Sequence, residues 1–342
     1  MAREVKLAHV GLGPIGLAIA RLVLDTPGLK SAAACDPAPD KAGEDLGLLM
    51  GLGKRTRLKV AGDTARFMRR KKMADVAVVS TTSTIRDAKP QIMALLRKGM
   101  HVITTCEELS FPTPKHHSTL REVEQLAKRK KCGVLATGVN PGYAMDALAL
   151  MLTAPCLRVD RIAVTRVVDA GTRRLPLQRK IGAGLNANQF HRAVTDGAVK
   201  HFGLAESAHM IASALGWRLE RVDETIDPAI APRDLDTDFL RIPAGAAAGL
   251  RQHLRAYSES DLVISLDLQM YVGAEKPRDH VVVTGEPQID AEIKGGIAGD
   301  EATAAMVINC IPKLLSAPPG ILSMHDLTLP HAFNPHELPG RR

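Results

Sequence analysis

The run GLGPIG, Gly11 to Gly16, constrains this chain more than any other stretch. It follows a short apolar segment, VKLAHVG (5–11), and opens a stretch of helical periodicity running from Ile15 to Leu24. Between a strand and a helix, the first glycine allows a tight turn and the second lets a pyrophosphate approach the backbone. The third allows the helix to pack closely on the strand. The helix start adds free N–H groups and the positive end of its dipole. Gly11, Gly13, Pro14, Ile15 and Gly16 are therefore expected to bind a dinucleotide, although glycines alone also fit an ordinary strand-to-helix turn. Asp36 strengthens the dinucleotide reading: it ends LKSAAACD (29–36), about 20 residues past the glycines, where a carboxylate can hold the adenosine ribose. That favours NAD(H), because the carboxylate repels a 2′-phosphate. Lys41 and the nearby KRTR (54–57) leave NADP(H) open.

The pattern extends to about residue 140. Candidate strands 5–11, 29–36, LKV (58–60), ADVAVVST (74–81), MHVITT (100–105) and CGVLATG (132–138) alternate with helical segments at 15–24, 85–98 and 115–130. Nearly continuous apolar strands between helices predict an α/β fold, a Rossmann doubly wound parallel sheet covered on both faces. Ligands of such sheets sit outside the carboxyl ends of the strands. Ser80, Thr81 and Thr82 of STTST (80–84) are thus expected beside the cofactor, or as a cap for the next helix.

The texture changes after about residue 155. VDRIAVTRVVDA (159–170), SDLVISLDLQMYVG (260–273) and DHVVVTGEPQIDAEIKGG (279–296) read as long strands with more alternation. Helices are expected at 205–215 and around AGAAAGLRQHLRAY (244–257), giving an α+β domain. A last helix is expected after Gly299, with Asp300 as its N-cap, ending before PPG (318–320). The expected domains are a dinucleotide-binding domain (1–142), an α+β substrate and dimerisation domain (143–300), and a C-terminal helix and tail (301–342) packing back at the domain interface. Long second-domain strands suit a homodimer.

Composition excludes several function classes. Of 342 residues 45% are hydrophobic and 24% charged, an ordinary globular balance. The net charge is +8, with basic runs RRKK (69–72) and KRKK (128–131), but aromatics make up only 3%, which argues against nucleic-acid binding. Cysteines 35, 106, 132, 156 and 310 form no CxxC pair, so neither a disulfide framework nor a metal site is expected. No stretch has a signal peptide's layout or the clean apolar length of a membrane span, and a cytoplasmic protein is expected.

The chemistry is expected just past residues 100–105, in HVITTCEELSFPT (101–113). Thr105 and Cys106 should line the cofactor. Glu107 and Glu108 are neighbours in an extended segment and should point to opposite sides, one toward nicotinamide and substrate, the other capping a turn. In GVNPG (138–142), Asn140, Pro141 and Gly142 could meet the nicotinamide amide or the substrate, or simply join the domains.

Here a family resemblance becomes specific. TTCEELSFPT (104–113), GVNPGYAMD (138–146), QRKIGAGL (178–185), KHFGLAESAHMIASALGW (200–217) and GDEATAAMVINCIPKLLSAPPG (299–320) resemble the 2,4-diaminopentanoate dehydrogenase and native amine dehydrogenase family, a branch of the dihydrodipicolinate reductase-like oxidoreductases. The resemblance spans nearly the whole chain. It implies NAD(P)-dependent oxidative deamination of an amine, or reductive amination of a carbonyl compound with ammonia.

Sugar-type oxidoreductases of similar design carry Glu-Lys-Pro where this chain has Glu107, Glu108, Leu109, so Glu108 takes the lysine's place. A carboxylate suits an iminium, which a lysine would repel. True dihydrodipicolinate reductases carry a His-His-x-x-Lys element; KHHSTLR (115–121) lacks the lysine, and its histidines read as a solvated helix start. In the second domain Gln189, His201 and Arg166 are weaker substrate candidates, with capping or surface roles as the alternative. A carboxylate-bearing substrate would need a fixed cation such as Arg161, Arg166 or Lys180. The competing readings are 2,4-diaminopentanoate dehydrogenase proper, an imine reductase or alcohol dehydrogenase, and an NAD-binding sensor without turnover.

Overall fold

The computed structural model describes residues 4–69 and 71–332; one arginine of the run at 69–72 and the tail from 333 onward lie outside the described residues. The first strand, β1 (Val5–Val10), leads through the glycine turn into α1 (Pro14–Asp25) and β2 (Leu29–Cys35). Short helices α2 (Leu46–Leu49) and α3 (Thr64–Arg69) precede β3 (Val76–Val79), α4 (Ile85–Arg97) and β4 (His101–Thr104). Two single 3-10 turns, Glu107–Leu109 and Pro114–His116, then lead into α5 (His117–Lys130) and β5 (Gly133–Ala136).

The second half continues with α6 (Ala147–Leu152), β6 (Arg158–Asp169), α7 (Leu175–Lys180), α8 (Ala187–Thr195) and α9 (Leu204–Leu215). Strands β7 (Arg221–Ile230), the two-residue β8 (Leu235–Asp236) and β9 (Arg241–Ile242), β10 (Ala247–Ser258), β11 (Asp261–Tyr271), β12 (Arg278–Glu286) and β13 (Ile289–Lys294) follow. Next come α10 (Gly299–Ser316), β14 (Gly320–Leu322) and a 3-10 turn, Met324–Asp326.

Two units emerge, residues 1–143 with 298–342, and residues 144–297. In the first, six strands in the order β14-β5-β4-β3-β1-β2 pair in parallel. Every residue of β3 and β5 is buried, the pattern of strands covered on both faces. The strand order reverses beside β1, so a crevice opens where the carboxyl ends of β1 and β3 diverge. The C-terminal segment belongs to this unit: α10 packs against α1 and β4, and β14 extends the sheet beyond β5. In the second unit, β13-β12-β6-β11-β10-β7 form a mixed sheet, with only β6 and β11 parallel. Helices α6 and α9 cover one face through Ala149, Leu204, Ala208 and Ile211, joined by Met145 just before α6.

Three expectations are corrected. Residues 58–60 form no strand: Lys59 makes an isolated antiparallel bridge with Asp45, and the next residue, Ala61, an isolated parallel bridge with Cys35, so the segment meets β2 only at its last residue. Asp300 lies inside the first turn of α10, whose N-cap is Ala298. The stretch 244–257, read as a helix, contains β10. Leu250, Gln252, Leu254 and Ala256 point inward while Arg251, His253 and Arg255 are less buried, the two-residue period of a strand. Gly249 marks the strand as well: a Cβ there would lie 2.6 Å from the Tyr271 Cα, so only glycine lets β10 pass β11 this closely.

One buried titratable group makes folding pH-dependent. His9, on β1, is 1% exposed; Nε2 meets the Ser31 Oγ at 2.9 Å, and burial pushes the imidazole down to about 4. The unfolded chain therefore takes up this proton first, so the contribution is complete above the ordinary histidine pKa and is lost as pH falls toward about 4. His9→Leu should remove about 2 kcal/mol of the stability loss between about pH 7 and pH 5, read by urea denaturation at both values. Equal losses in both proteins would contradict this.

Candidate active site

The first sheet brings the sequence-marked residues of its unit to one edge. At the β1–α1 turn Gly11 has φ +87°, and a Cβ there would lie 2.7 Å from the Ser80 carbonyl oxygen. A Cβ on Gly16 would overlap the Gly11 carbonyl and lie 2.7 Å from Ser80 Oγ. These glycines let the turn press on the end of β3, where the Ser80 hydroxyl donates to the Gly11 carbonyl at 2.9 Å. Gly13 differs: a Cβ there would meet nothing within 4 Å. Gly13 is also the N-cap of α1, with no side chain capping the helix and Pro14 in its first turn. Open space at an uncapped helix start fits a dinucleotide pyrophosphate.

Asp36, buried at the end of β2, fixes this loop. Its Oδ2 accepts from the Leu12 N–H at 2.7 Å, its Oδ1 from the Ala38 N–H at 2.9 Å, and Lys41 Nζ lies 3.3 Å from Oδ2. Burial alone would raise this carboxyl, but the Ala38 and Leu12 N–H groups and Lys41 outweigh it and hold Asp36 below the usual carboxylate range.

The loop after β3 is tied by its own hydroxyls. Thr81 donates to Gln91 Oε1 at 3.0 Å, the Thr82 hydroxyl accepts from the Thr84 N–H at 3.3 Å, and Thr84 caps α4. The exit of β4 is anchored alongside: the Thr105 N–H donates to the Val79 carbonyl at 3.1 Å, and the Cys106 N–H to Thr104 Oγ1 at 3.2 Å. Burial, helped by Glu107, pushes the Cys106 thiol up to about 12, so it is not a nucleophile.

Glu107 and Glu108 then enter a 3-10 turn. Ser110 closes that turn, its N–H donating to the Glu107 carbonyl at 3.1 Å. The Glu108 N–H donates to the Ser83 carbonyl at 3.1 Å, and Glu108 Oε2 accepts from the Ile85 N–H at 2.9 Å. Ile85 is the first residue of α4, so this carboxylate sits at the positive end of a helix, where an anion is favoured. The same Oε2 lies 3.9 Å from His116 Nε2, while Oε1 takes part in neither contact. His116 therefore departs from the expected solvated helix start. His117 is exposed and donates from Nε2 to the Pro112 carbonyl, but the His116 side chain is 17% exposed with Nε2 buried. The HH pair was visible in the sequence; that only its first member turns inward was not.

At the end of β5, Gly142 has φ +121°, and a Cβ there would lie 2.6 Å from the Gly138 nitrogen. The loop doubles back through a cis Asn140–Pro141 peptide. Thr303 of α10, inside the family-like stretch 299–320 but not singled out there, accepts from the Val139 N–H at 3.2 Å.

Two of the second-unit candidates, Gln189 and Arg166, have other tasks. Gln189 completes a capping box with Asn186, each side chain accepting from the other's N–H. Arg166 is 3% exposed; its Nη1 lies 2.5 and 2.7 Å from the two Asp279 oxygens, and Nη2 donates to the Ile297 carbonyl at 2.7 Å. Its charge is already neutralised, which removes it as a cation for substrate. The His201 backbone is held at both ends by the Gln252 side chain. Burial first, then Lys180, pushes its imidazole down to about 3, so it is neutral. Among the described residues no group of three or more His, Cys, Asp or Glu could hold a metal ion, and no helix is long and apolar enough to cross a membrane.

A doubly wound parallel sheet with a glycine cradle, an acid closing β2 and a carboxylate beyond β4 defines a nicotinamide-dependent oxidoreductase of the Rossmann type. Residues 143–337, more than half of the chain, match the family model of the 2,4-diaminopentanoate dehydrogenase C-terminal domain, and the chain belongs to that family. The 2,4-diaminopentanoate dehydrogenase of Acetoanaerobium sticklandii is 29% identical over 96% of this chain and 95% of its own. An amine dehydrogenase of Streptomyces virginiae is 24% identical over 93% of this chain and 95% of its own. The solved amine dehydrogenase of Mycobacterium smegmatis has the same fold, with TM-score 0.86, 21% identity and 98% of both chains covered.

Proposed function

We propose that the protein is an NAD(P)-dependent amine dehydrogenase, deaminating a small amine oxidatively and, in reverse, aminating a ketone or aldehyde with ammonia. The observation that carries this is the Glu108 carboxylate, anchored through one oxygen at the start of α4 with its other oxygen outside that contact. Names of relatives over nearly the full length agree with it.

Gly11, Gly13 and Gly16, the N–H groups at the start of α1, and Asp36 would hold the dinucleotide; Ser80, Thr81, Thr82, Thr105 and Asn140 to Gly142 would line its nicotinamide end, while the Cys106 thiol is packed in the core. The nicotinamide, when bound, supplies the hydride acceptor for the C–N carbon. Glu108 does the rest. Its negative charge stabilises the iminium left on the substrate. It then takes a proton from the water that attacks the iminium carbon, and the carbinolamine collapses to carbonyl and ammonia. In reverse it takes a proton from ammonium and leaves ammonia as the nucleophile.

Short-chain primary amines with the oxidised cofactor should release ammonia and reduced cofactor in equal amounts. Cofactor reduction with the matching alcohols but not with the amines would contradict this assignment and point to an alcohol dehydrogenase. Asp36 favours NAD(H), with Lys41 placed to soften its repulsion of a 2′-phosphate. Asp36→Ser should shift the NADH to NADPH preference toward NADPH by about tenfold or more, from loss of a charged hydrogen bond; an unchanged ratio of kcat/KM values would contradict it. With Arg166 neutralised, a substrate carboxylate would have to be met by another cation such as Arg161 or Lys180. A homodimer through the second sheet is the expected assembly. The sheet face carrying the cross-strand row His253, Asp267, Thr165 and His280 offers both charge signs to a second copy, and sedimentation tests it.

A further inference from the structure

The imidazole of His116 stands behind Glu108 in a way the proposed reaction can use. Its Nε2 is buried without a hydrogen-bond partner, and its one carboxylate neighbour, Glu108 Oε2, is 3.9 Å away. That separation exceeds a hydrogen bond. Acceptance of a proton on Nε2 requires the tautomer that carries its own proton on Nδ1. Such a pair lacks one component, a proton between the two groups.

We propose that His116 is the proton-relay partner of Glu108, receiving on Nε2 the proton that Glu108 takes from the attacking water and passing it on to solvent. This rests on the assignment of Glu108 as the working carboxylate. One water O–H bond breaks, its electron pair stays on oxygen as the C–O bond forms, and the proton goes to Glu108. Rotation about the Glu108 Cγ–Cδ bond exchanges its oxygens and brings the protonated one to the side of Ile85 and His116. The proton passes to Nε2, giving imidazolium, and Glu108 is again an anion for the next cycle. The imidazolium then loses its Nδ1 proton to water, solvent exchange moves the remaining proton from Nε2 to Nδ1 before the next cycle, and no oxidant or further reactant is needed.

The surroundings keep His116 ready to accept. Burial lowers its pKa first; Glu108 of the 3-10 turn opposes this, while Lys115 and His117, the charged neighbours on its own segment, reinforce it. It is therefore neutral at neutral pH and becomes a better base when it approaches the Glu108 carboxylate. It acts through Glu108 and is a positioning residue.

Two measurements test the pair. Nitrogen-15 histidine spectra of the cofactor-free protein should show His116 as the Nδ1–H tautomer at neutral pH. In Glu108→Gln its titration midpoint should move to lower pH, because the anion that supports imidazolium is gone. An Nε2–H tautomer or an unmoved midpoint overturns the proposal. In the holoenzyme, His116→Ala should lower kcat for amine oxidation about 100-fold with little change in amine KM, and added imidazole should restore part of it. Wild-type kcat and pH profile in His116→Ala overturns the relay. Should that variant fail to fold, His116→Asn carries the kinetic comparison with the same two outcomes. A coupled His116 in a protein without amine turnover counts against the amine assignment, and an uncoupled His116 in an active enzyme counts against the relay alone.

Discussion

Glu108→Gln is expected to lower kcat for amine oxidation by about 100-fold to 10,000-fold, while the dissociation constant for the cofactor stays within a factor of about 3. Glutamine is the informative replacement because its amide oxygen can still accept from the Ile85 N–H, so the start of α4 keeps its contact. Only the negative charge and the basic lone pair are lost. A structural role for Glu108 would show the opposite split, with turnover retained in Glu108→Gln and an altered melting temperature in Glu108→Ala. Glu107, whose backbone carbonyl closes the 3-10 turn onto Ser110, is expected to support it: Glu107→Gln should cost less than about 10-fold in kcat. Wild-type turnover in Glu108→Gln with collapse in Glu107→Gln would move the chemistry one residue back.

The second large effect lies in the other unit. Asp279→Ala should destabilise the protein by about 3–5 kcal/mol, measured by denaturant unfolding, because it leaves the buried guanidinium of Arg166 charged and unpaired. Asp279 also accepts from the Ile297 N–H at 2.8 Å, so the same change frees a backbone donor. Replacing both partners with apolar side chains, Arg166→Met with Asp279→Leu, should recover most of that loss. A loss below about 1 kcal/mol in the single variant would mean that the pair is reached by water and contributes as a surface pair does.

The parts of the fold that were legible in the sequence were those governed by local rules. Gly11 and Gly16 announce a turn that only glycine permits, and the apolar runs at β3 and β5 announce strands buried on both faces. What escaped depends on neighbours distant in sequence. The Ala and Gly composition before Leu250 suggests a helix, yet β10 is held as a strand by β7 and β11 on either side. Strand β14 is only three residues long and exists because β5 offers it an edge. Strand β7 contains Pro228, which weakens its signature, but it is an edge strand, where a missing N–H is tolerated. The site divides in the same way. The acids after β4 were visible as a motif, but the contacts that set Glu108 apart come from Ile85, 23 residues earlier, and from His116 on the following segment. Arg166 looked available for substrate because nothing local reveals Asp279, 113 residues away.

The most direct test of the central claim is consumption of the reduced cofactor in the presence of a panel of small ketones and aldehydes, with and without ammonium. The expected result is NADH oxidation that requires both carbonyl and ammonium, with the matching amine as product in equal amount. NADH binding without turnover across the panel, or oxidation that proceeds equally well without ammonium, would contradict it.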